Sequence, residues 1–224
     1  MKDTISIVYM ADIINSRERL SSDDYVKFRN AVMKINGMFS EFILSPLTIT
    51  LGDEYQGVIK GRDRKDSIIK ALDIVFRVEE TLKFQLASVE LRHVIYEGRI
   101  DTEINELIAH GMIGEALTNA RQELTELKKG RRMCKRFSIH IQDEPLLSTQ
   151  LERCLFLNES ITDRWKTNDS EIITKFIETN NYNEVAIALG KDRSLMWRRQ
   201  RSLWMREYHE VKNLIHDMVI LSDI

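Results

Sequence analysis

LTITLGDEYQGVI, residues 47–59, holds two short β runs around a Gly-Asp-Glu link. Leu47, Ile49 and Leu51 alternate with Thr48 and Thr50, the period of a half-buried strand. Tyr55 to Lys60 is a second apolar run. Gly52 supplies a tight turn between them, which predicts a hairpin carrying Asp53 and Glu54 at its tip. Adjacent acids gain little from packing at a turn, and they repel each other. Two readings stand: a solvated acidic turn, or a divalent-cation site, since hard cations need carboxylate oxygens fixed on rigid backbone. A second acid near the N-terminus favours the cation.

That acid is Asp12. Thr4 to Met10 (TISIVYM) is a nearly continuous apolar run rich in β-branched residues, expected of a central strand covered on both faces. Asp12 at its end is either a strand terminator or a ligand facing a site at the sheet edge. A long amphipathic helix is expected over about Ser22 to Leu44, with Tyr25, Phe28, Val32, Ile35, Phe39 and Phe42 on one core-facing stripe. Ser21 and Asp24 resemble a capping box, and Ser45-Pro46 stops the helix. Further on, the periodicity predicts a helix over Asp66 to Leu82 and a strand over Val89 to Tyr96. Arg99 to Gly111 reads as a loop with a helical turn. A helix over Gly114 to Lys128 with a glycine C-cap and a strand over Phe137 to Ile141 complete the pattern. His93 and His140 lie in apolar strands and read as structural.

The predicted class is α+β, with order βαββαβαβ: a ferredoxin-like or palm arrangement with helices on one face of a mixed sheet. In it the end of the first strand and the hairpin tip lie side by side, so Asp12 and Asp53 meet at one edge. Two carboxylates aimed at one point are unfavourable without a cation between them. Mg²⁺ or Mn²⁺ is therefore expected, with a nucleotide triphosphate as third partner, because magnesium fills its remaining positions with water and phosphate oxygens.

ADIINSR after the first strand and TLGDEYQG at the hairpin resemble the SatD family of bacterial cytoplasmic proteins. Asp12-Ile13 and Gly52-Asp53-Glu54 also resemble the metal-binding positions of class III nucleotidyl cyclases and, more distantly, GGDEF domains, over roughly residues 4 to 141. The resemblance implies Asp12 and Asp53 as metal ligands, with Glu54 beside them and the Ile13 carbonyl as a third donor. Ser16, Arg17, Asn119 and Arg121 are the nucleotide or phosphate candidates beside them; Arg131 and Arg132, in the basic stretch Lys128 to Arg136, either pair with a triphosphate or form a solvated loop. The resemblance also implies a homodimer whose partner completes the site. The chain departs from the cyclase pattern in three ways. Asn119 and Arg121 are two residues apart rather than four, which turns them about 200° from each other on a helix. No base-selecting Lys and Asp pair is evident, and Leu51 stands where GGDEF domains have their first glycine.

The C-terminal part, from Tyr182 to Met196, has helix-turn-helix spacing, with Val185, Leu189 and Met196 as its core and Gly190 at the turn. Ser194 is expected to cap the second helix. Arg198, Arg199 and Arg201 are placed where a recognition helix meets double-stranded DNA. Against DNA stands a protein–protein role. Residues 161–224 carry ten acids and ten bases, and Trp197 and Trp204 suggest one buried docking seam.

The domains are expected at 1–142 (palm), 143–168 (connecting helix and linker) and 169–224 (helix-turn-helix). Hydrophobic content of 43% and charged content of 30% describe an ordinary globular protein of net charge −2, not a disordered or strongly nucleic-acid-coating chain. The two cysteines make neither a disulfide framework nor a metal cluster. No apolar run reaches about 18 residues and the N-terminus has no signal-peptide pattern, so a cytoplasmic protein without membrane contact is expected. The leading expectation is a nucleotide- and Mg-binding regulator coupling the palm to a DNA-binding helix-turn-helix. The alternative is a metal-dependent, cyclase-like enzyme on nucleoside triphosphates, with the C-terminal helices for dimerisation.

Overall fold

The computed structural model describes residues 4–16, 21–50, 52–86, 89–130 and 136–224. The chain runs β1 (Thr4–Ile13), α1 (Ser22–Met38), β2 (Ile43–Ile49), β3 (Glu54–Ile59), α2 (Arg64–Gln85), β4 (Leu91–Ile100), α3 (Glu115–Lys128) and β5 (Phe137–His140). The sheet has five strands in the order β2-β3-β1-β4-β5. β1 is antiparallel to both β3 and β4, and β5 joins β4 in parallel. The first four strands form the split arrangement of a ferredoxin-like α+β fold, and the α3 crossover adds the fifth.

β1 is the spine of this sheet, and its alternation sorts two cores. Val8, Met10, Val58, Val94 and Tyr96 pack with Ala116, Ala120, Leu124 and Leu127 of α3. Tyr9 and Tyr55 point the other way, where Phe28 of α1 lies 5.8 Å from the Tyr55 ring and Glu79 of α2 meets His93. Helices therefore cover both faces of the sheet, rather than one as the sequence pattern suggested. A sheet whose inner strand is apolar on both sides needs both covered.

The core under α1 and α2 contains a polar chain. Glu79 accepts two 2.6 Å hydrogen bonds from Arg136 and one of 2.7 Å from His93 Nε2. His93 Nδ1 then accepts from the Tyr9 hydroxyl at 2.8 Å, and the Tyr9 oxygen accepts from Tyr55 at 2.9 Å. Burial pushes the Glu79 carboxyl up, but Arg136 and His93 pull it down further, to about 2. Burial holds His93 below its ordinary pKa, which the Glu79 carboxylate opposes without reversing. His93 is thus a neutral, bonded core histidine.

α1 is shorter than its periodicity predicts. The Ser21–Asp24 capping box is present, but the helix closes at Phe39. Ser45 and Pro46, expected as the stop, lie inside β2. Asn36 ties the helix end to this strand, accepting from Leu47 N at 2.8 Å and donating to Leu47 O at 2.9 Å. Pro46 is tolerated because β2 is an edge strand whose register shifts between Ser45 and Thr48.

Beyond β5 come α4 (Pro145–Thr162), a 3₁₀ turn (Thr167–Asp169), α5 (Ser170–Glu178), α6 (Tyr182–Leu189), α7 (Arg193–Ser202) and α8 (Met205–Leu221). Two compact units result, Met1–Glu152 with Val219–Ile224, and Arg153–Met218. In the second, Phe176, Val185, Met196 and Tyr208 are fully buried. α6 ends at Gly190, whose φ of 60° is left-handed, and Asp192 caps α7 by accepting from Leu195 N at 2.8 Å. Asp192, not Ser194, is therefore the cap. Trp197 and Trp204 are about 40% and 41% exposed within the single chain; Arg164 stacks on Trp204 at 4.2 Å and Arg201 on Trp197 at 5.0 Å. Among the described residues, no helix is long and apolar enough to cross a membrane.

Candidate nucleotide and metal site

The register of the central strands assembles the site. Asp12 pairs with Glu54 of β3 on one side and with Arg92 of β4 on the other. Cross-strand partners share a face, and parity places all three on the α3 side with Met10 and Val94. Asp12 is only 2% exposed. Its Oδ2 accepts from Arg92 Nη1 at 2.9 Å, and its Oδ1 lies 2.9 Å from Lys128 Nζ in the last turn of α3. The same ammonium lies 3.8 Å from Glu54 Oε2. Arg121, nearly two turns earlier on α3, contacts both Glu54 oxygens at 3.0 and 3.3 Å and Gln56 Oε1 at 3.3 Å. Burial raises the Asp12 carboxyl above its ordinary pKa, Lys128 and Arg92 pull it down, and the charge of Asp53 raises it again.

Asp53 sits one residue out from this cluster, at the hairpin tip. Its carboxylate accepts from the Ser16 hydroxyl, and its carbonyl accepts from Ile13 N at 3.2 Å. Two left-handed residues make these meetings possible. Gly52 has φ 77°, which glycine adopts without steric cost, and Asn15 has φ 56°, a conformation that asparagine tolerates. The strand end and hairpin tip are side by side, as the topology predicts. The side chain opposite Asp12, however, is Glu54, and Asp53 acts on Asp12 through its charge.

Asn119 and Arg121 diverge. Asn119 donates to the Tyr96 hydroxyl at 2.9 Å, over β4, whereas Arg121 reaches across to β3. Arg17, Arg131 and Arg132 lie outside the described residues. Arg92 and Lys128 join the cluster: Arg92 is an ordinary strand position, and Lys128 opens the basic stretch KKGRRMCKR, residues 128–136. In the second unit, Arg198 and Arg201 are exposed near Ser194, while Arg199 is half-buried and ion-paired with Asp169. The arginines assigned to DNA thus do not form one free set.

Next to the acid edge, on the same sheet face, is a cleft of about 580 Å³. Met10, Thr50, Gln56, Met112, Leu117 and Arg121 line it. Its wall is the 101–113 loop, held over β2 and β3 by Gln56 donating to Ala109 O and by Ala109 N donating to Thr48 Oγ1 at 2.9 Å. Gly114 closes the loop: a Cβ there would lie 2.6 Å from Arg99 O and 2.7 Å from Ile100 Cα. Only glycine lets the start of α3 approach the sheet this closely.

A divalent ion is tested by the donors present. Among the described residues, no three Asp, Glu, His or Cys side chains converge as a closed metal cage. Two carboxylates with open positions are nonetheless what magnesium uses beside a phosphate ligand. The Lys128 ammonium also marks a point between Asp12 and Glu54 where a cation is held. Both Asp12 oxygens and both Glu54 oxygens are engaged by Arg92, Lys128 and Arg121, so an ion at these carboxylates has to replace one of these cations.

The SatD family matches residues 6–189 of this chain. No curated protein matches it. Among solved structures, the chain is similar to the monomeric guanylyl cyclase domain of the RhoGC fusion protein from the aquatic fungus Blastocladiella emersonii. That likeness has 17% identity and a TM-score of 0.43, covering 55% of this chain and 75% of that one. A bacterial light-regulated adenylyl cyclase gives 14% identity and a TM-score of 0.45, over 62% and 77% of the two chains. The adenylyl cyclase CyaB from P. aeruginosa gives 12% and 0.45, over 66% and 84%.

Proposed function

The chain belongs to the SatD family, and from that premise we propose that its palm-like domain binds a nucleoside triphosphate together with Mg²⁺ or Mn²⁺, as a metal-dependent enzyme on that substrate. The observation that carries this reading is the continuity of cleft and acid edge through Arg121, which lines the cleft and touches Glu54. A cleft of this volume lies within the range of small-molecule sites. The nucleoside occupies the Met10–Met112–Leu117 end, and the phosphates run toward Arg121.

In this arrangement Asp12 and Asp53 hold the ion, and Glu54 keeps Arg121 aimed along the strand. The ion, when bound, neutralises phosphate charge and lowers the barrier to attack by an oxygen nucleophile. Ser16 fixes the Asp53 carboxylate, and Asn15 sets the turn that delivers Ser16. Asn119 is engaged with Tyr96, so the transition-state pair of the resembled cyclases is not assembled from Asn119 and Arg121. Turnover therefore requires the polyphosphate to be held by Arg121 and Lys128. The homodimer and the division into palm, connector and helical module are part of the proposal.

A second reading, duplex DNA binding by α7, is favoured by one observation. Tyr182, Arg193, Ser194, Trp197 and Arg198 line a depression of about 410 Å³ that carries no acid. In this reading Arg193 and Arg198 contact phosphates.

Thermal unfolding against ATP and GTP, with and without Mn²⁺, tests the main proposal in the parent, Asp12→Asn and Asp53→Asn. A ligand at about 100 times its Kd adds roughly 2.7 kcal/mol of stability. The expected result is a metal-dependent shift that both variants lose. A shift that survives in both would end the metal assignment, and product analysis of the same mixtures reports turnover.

A further inference from the structure

We propose that the Lys128 ammonium is a built-in occupant of the cation position at this edge, and that a divalent ion enters by displacing it. This rests on the metal reading of Asp12 and Asp53 above. Among the described residues, Asp12 and Glu54 are met here by three side-chain cations, Arg92, Arg121 and Lys128, with Asp53 beside them. The described carboxylates and cations are equal in number, and a metal arriving alone adds charge to a set that is already paired.

The three cations differ in how firmly they are held. Arg92 projects from a central strand and its side chain is 16% exposed. Arg121 makes three contacts spread over Glu54 and Gln56, using two guanidinium nitrogens. Lys128 makes one close contact, to Asp12, and its side chain is 42% exposed. An ammonium is a compact, strongly hydrated charge on a flexible stem, so it exchanges with solvent more easily than a guanidinium fork. Lys128 also holds Asp12 Oδ1, a carboxylate oxygen that an ion between Asp12 and Asp53 needs.

Displacement has a consequence for order of binding. A triphosphate brings the anions that a freed Lys128 can pair with, and a metal ion alone does not. Metal and nucleotide are therefore expected to bind together in the parent. Without Lys128, the edge keeps a net negative charge and takes the metal by itself.

Mn²⁺ binding without nucleotide, followed by electron paramagnetic resonance, separates the cases in the parent, Lys128→Met, Lys128→Gln and Lys128→Arg. Circular dichroism establishes that each variant is folded, and the Gln variant retains polarity should Met disturb packing. Removing the competing charge should tighten Mn²⁺ by about tenfold in the Met and Gln variants. Lys128→Arg should stay near the parent, and Asp12→Asn in the Lys128→Met background should abolish the gain. Equal or weaker Mn²⁺ affinity in the Met and Gln variants overturns the inference. If the parent still binds Mn²⁺–nucleotide through Asp12 in that case, the proposed function stands and only the displacement fails. If no variant binds Mn²⁺ with or without nucleotide, both fall.

Discussion

The two faces of the central sheet carry comparable sets of ionisable groups and use them differently. Under α1 and α2, Tyr55, Tyr9, His93, Glu79 and Arg136 form one continuous chain of hydrogen bonds that runs from the core to the Glu79 carboxylate, 19% exposed at its side chain. Under α3, Asp12 and Glu54 are equally buried, but two of their partners, Lys128 and Arg121, are 42% and 44% exposed at the side chain. The carboxyls also shift in opposite directions. Glu79 is pulled far down by partners that outweigh its burial, and Asp12 is raised because burial outweighs its partners. A polar cluster whose cation is buried, as Arg136 is, fixes a fold, whereas one whose cations reach solvent can exchange them for a ligand.

The largest effect expected is from Glu79→Ala. Removing the carboxylate takes the ion-pair partner from the buried Arg136 guanidinium and the acceptor from His93, and should cost about 3–5 kcal/mol in chemical denaturation. Nucleotide affinity of the molecules that remain folded should be unchanged. A loss below about 1 kcal/mol would erase the contrast between the faces.

Acid should act through the same residue. Arg136 and His93 hold the Glu79 carboxyl at about 2 when folded against an ordinary 4.5, so the unfolded chain binds more protons between these values. Its contribution is complete above pH 4.5 and is lost as pH falls through about 2. His93, held below 6.5, adds a loss that begins as pH drops past that value. Denaturation midpoints from pH 7 to 2 should decline accordingly, and Glu79→Gln should flatten the slope below pH 4.5. An unaltered slope in that variant would place the acid sensitivity elsewhere.

On the α3 face the effect should appear in binding instead. Arg121→Ala should weaken Mn²⁺–nucleotide binding by roughly tenfold in calorimetry, at a stability cost under about 1 kcal/mol. The reverse pattern, a fold loss with full binding, would make Arg121 structural. The smallest effect is expected from Tyr55→Phe, which removes only the terminal donor of the buried chain and should cost about 1 kcal/mol. A cost several times larger would mean that the chain behaves as one cooperative unit.

Much of this architecture is written locally. β1, the hairpin, α2, α3 and the Ser21–Asp24 cap follow from period, turn chemistry and capping spacing. The end of α1 does not, because Phe39 and Phe42 continue its period while Asn36 joins β2 through contacts 11 residues away. Asp12, Asp53 and Glu54 stand out as acids beside apolar strands. Arg92 and Lys128 do not, since their roles depend on register with β1 and on the length of α3. Glu79 reads as a surface charge until His93 and Arg136, 14 and 57 residues on, are brought to it.

β1 also bears on synthesis. Its strand partners, residues 54–59 and 91–100, are all made after it. At roughly 5–20 residues per second, its apolar faces and Asp12 wait on the order of 5–20 seconds for the last of these to emerge from the ribosome. Nascent chains stalled before residue 100 should therefore engage hydrophobic-binding chaperones, and those stalled after β5 should release them.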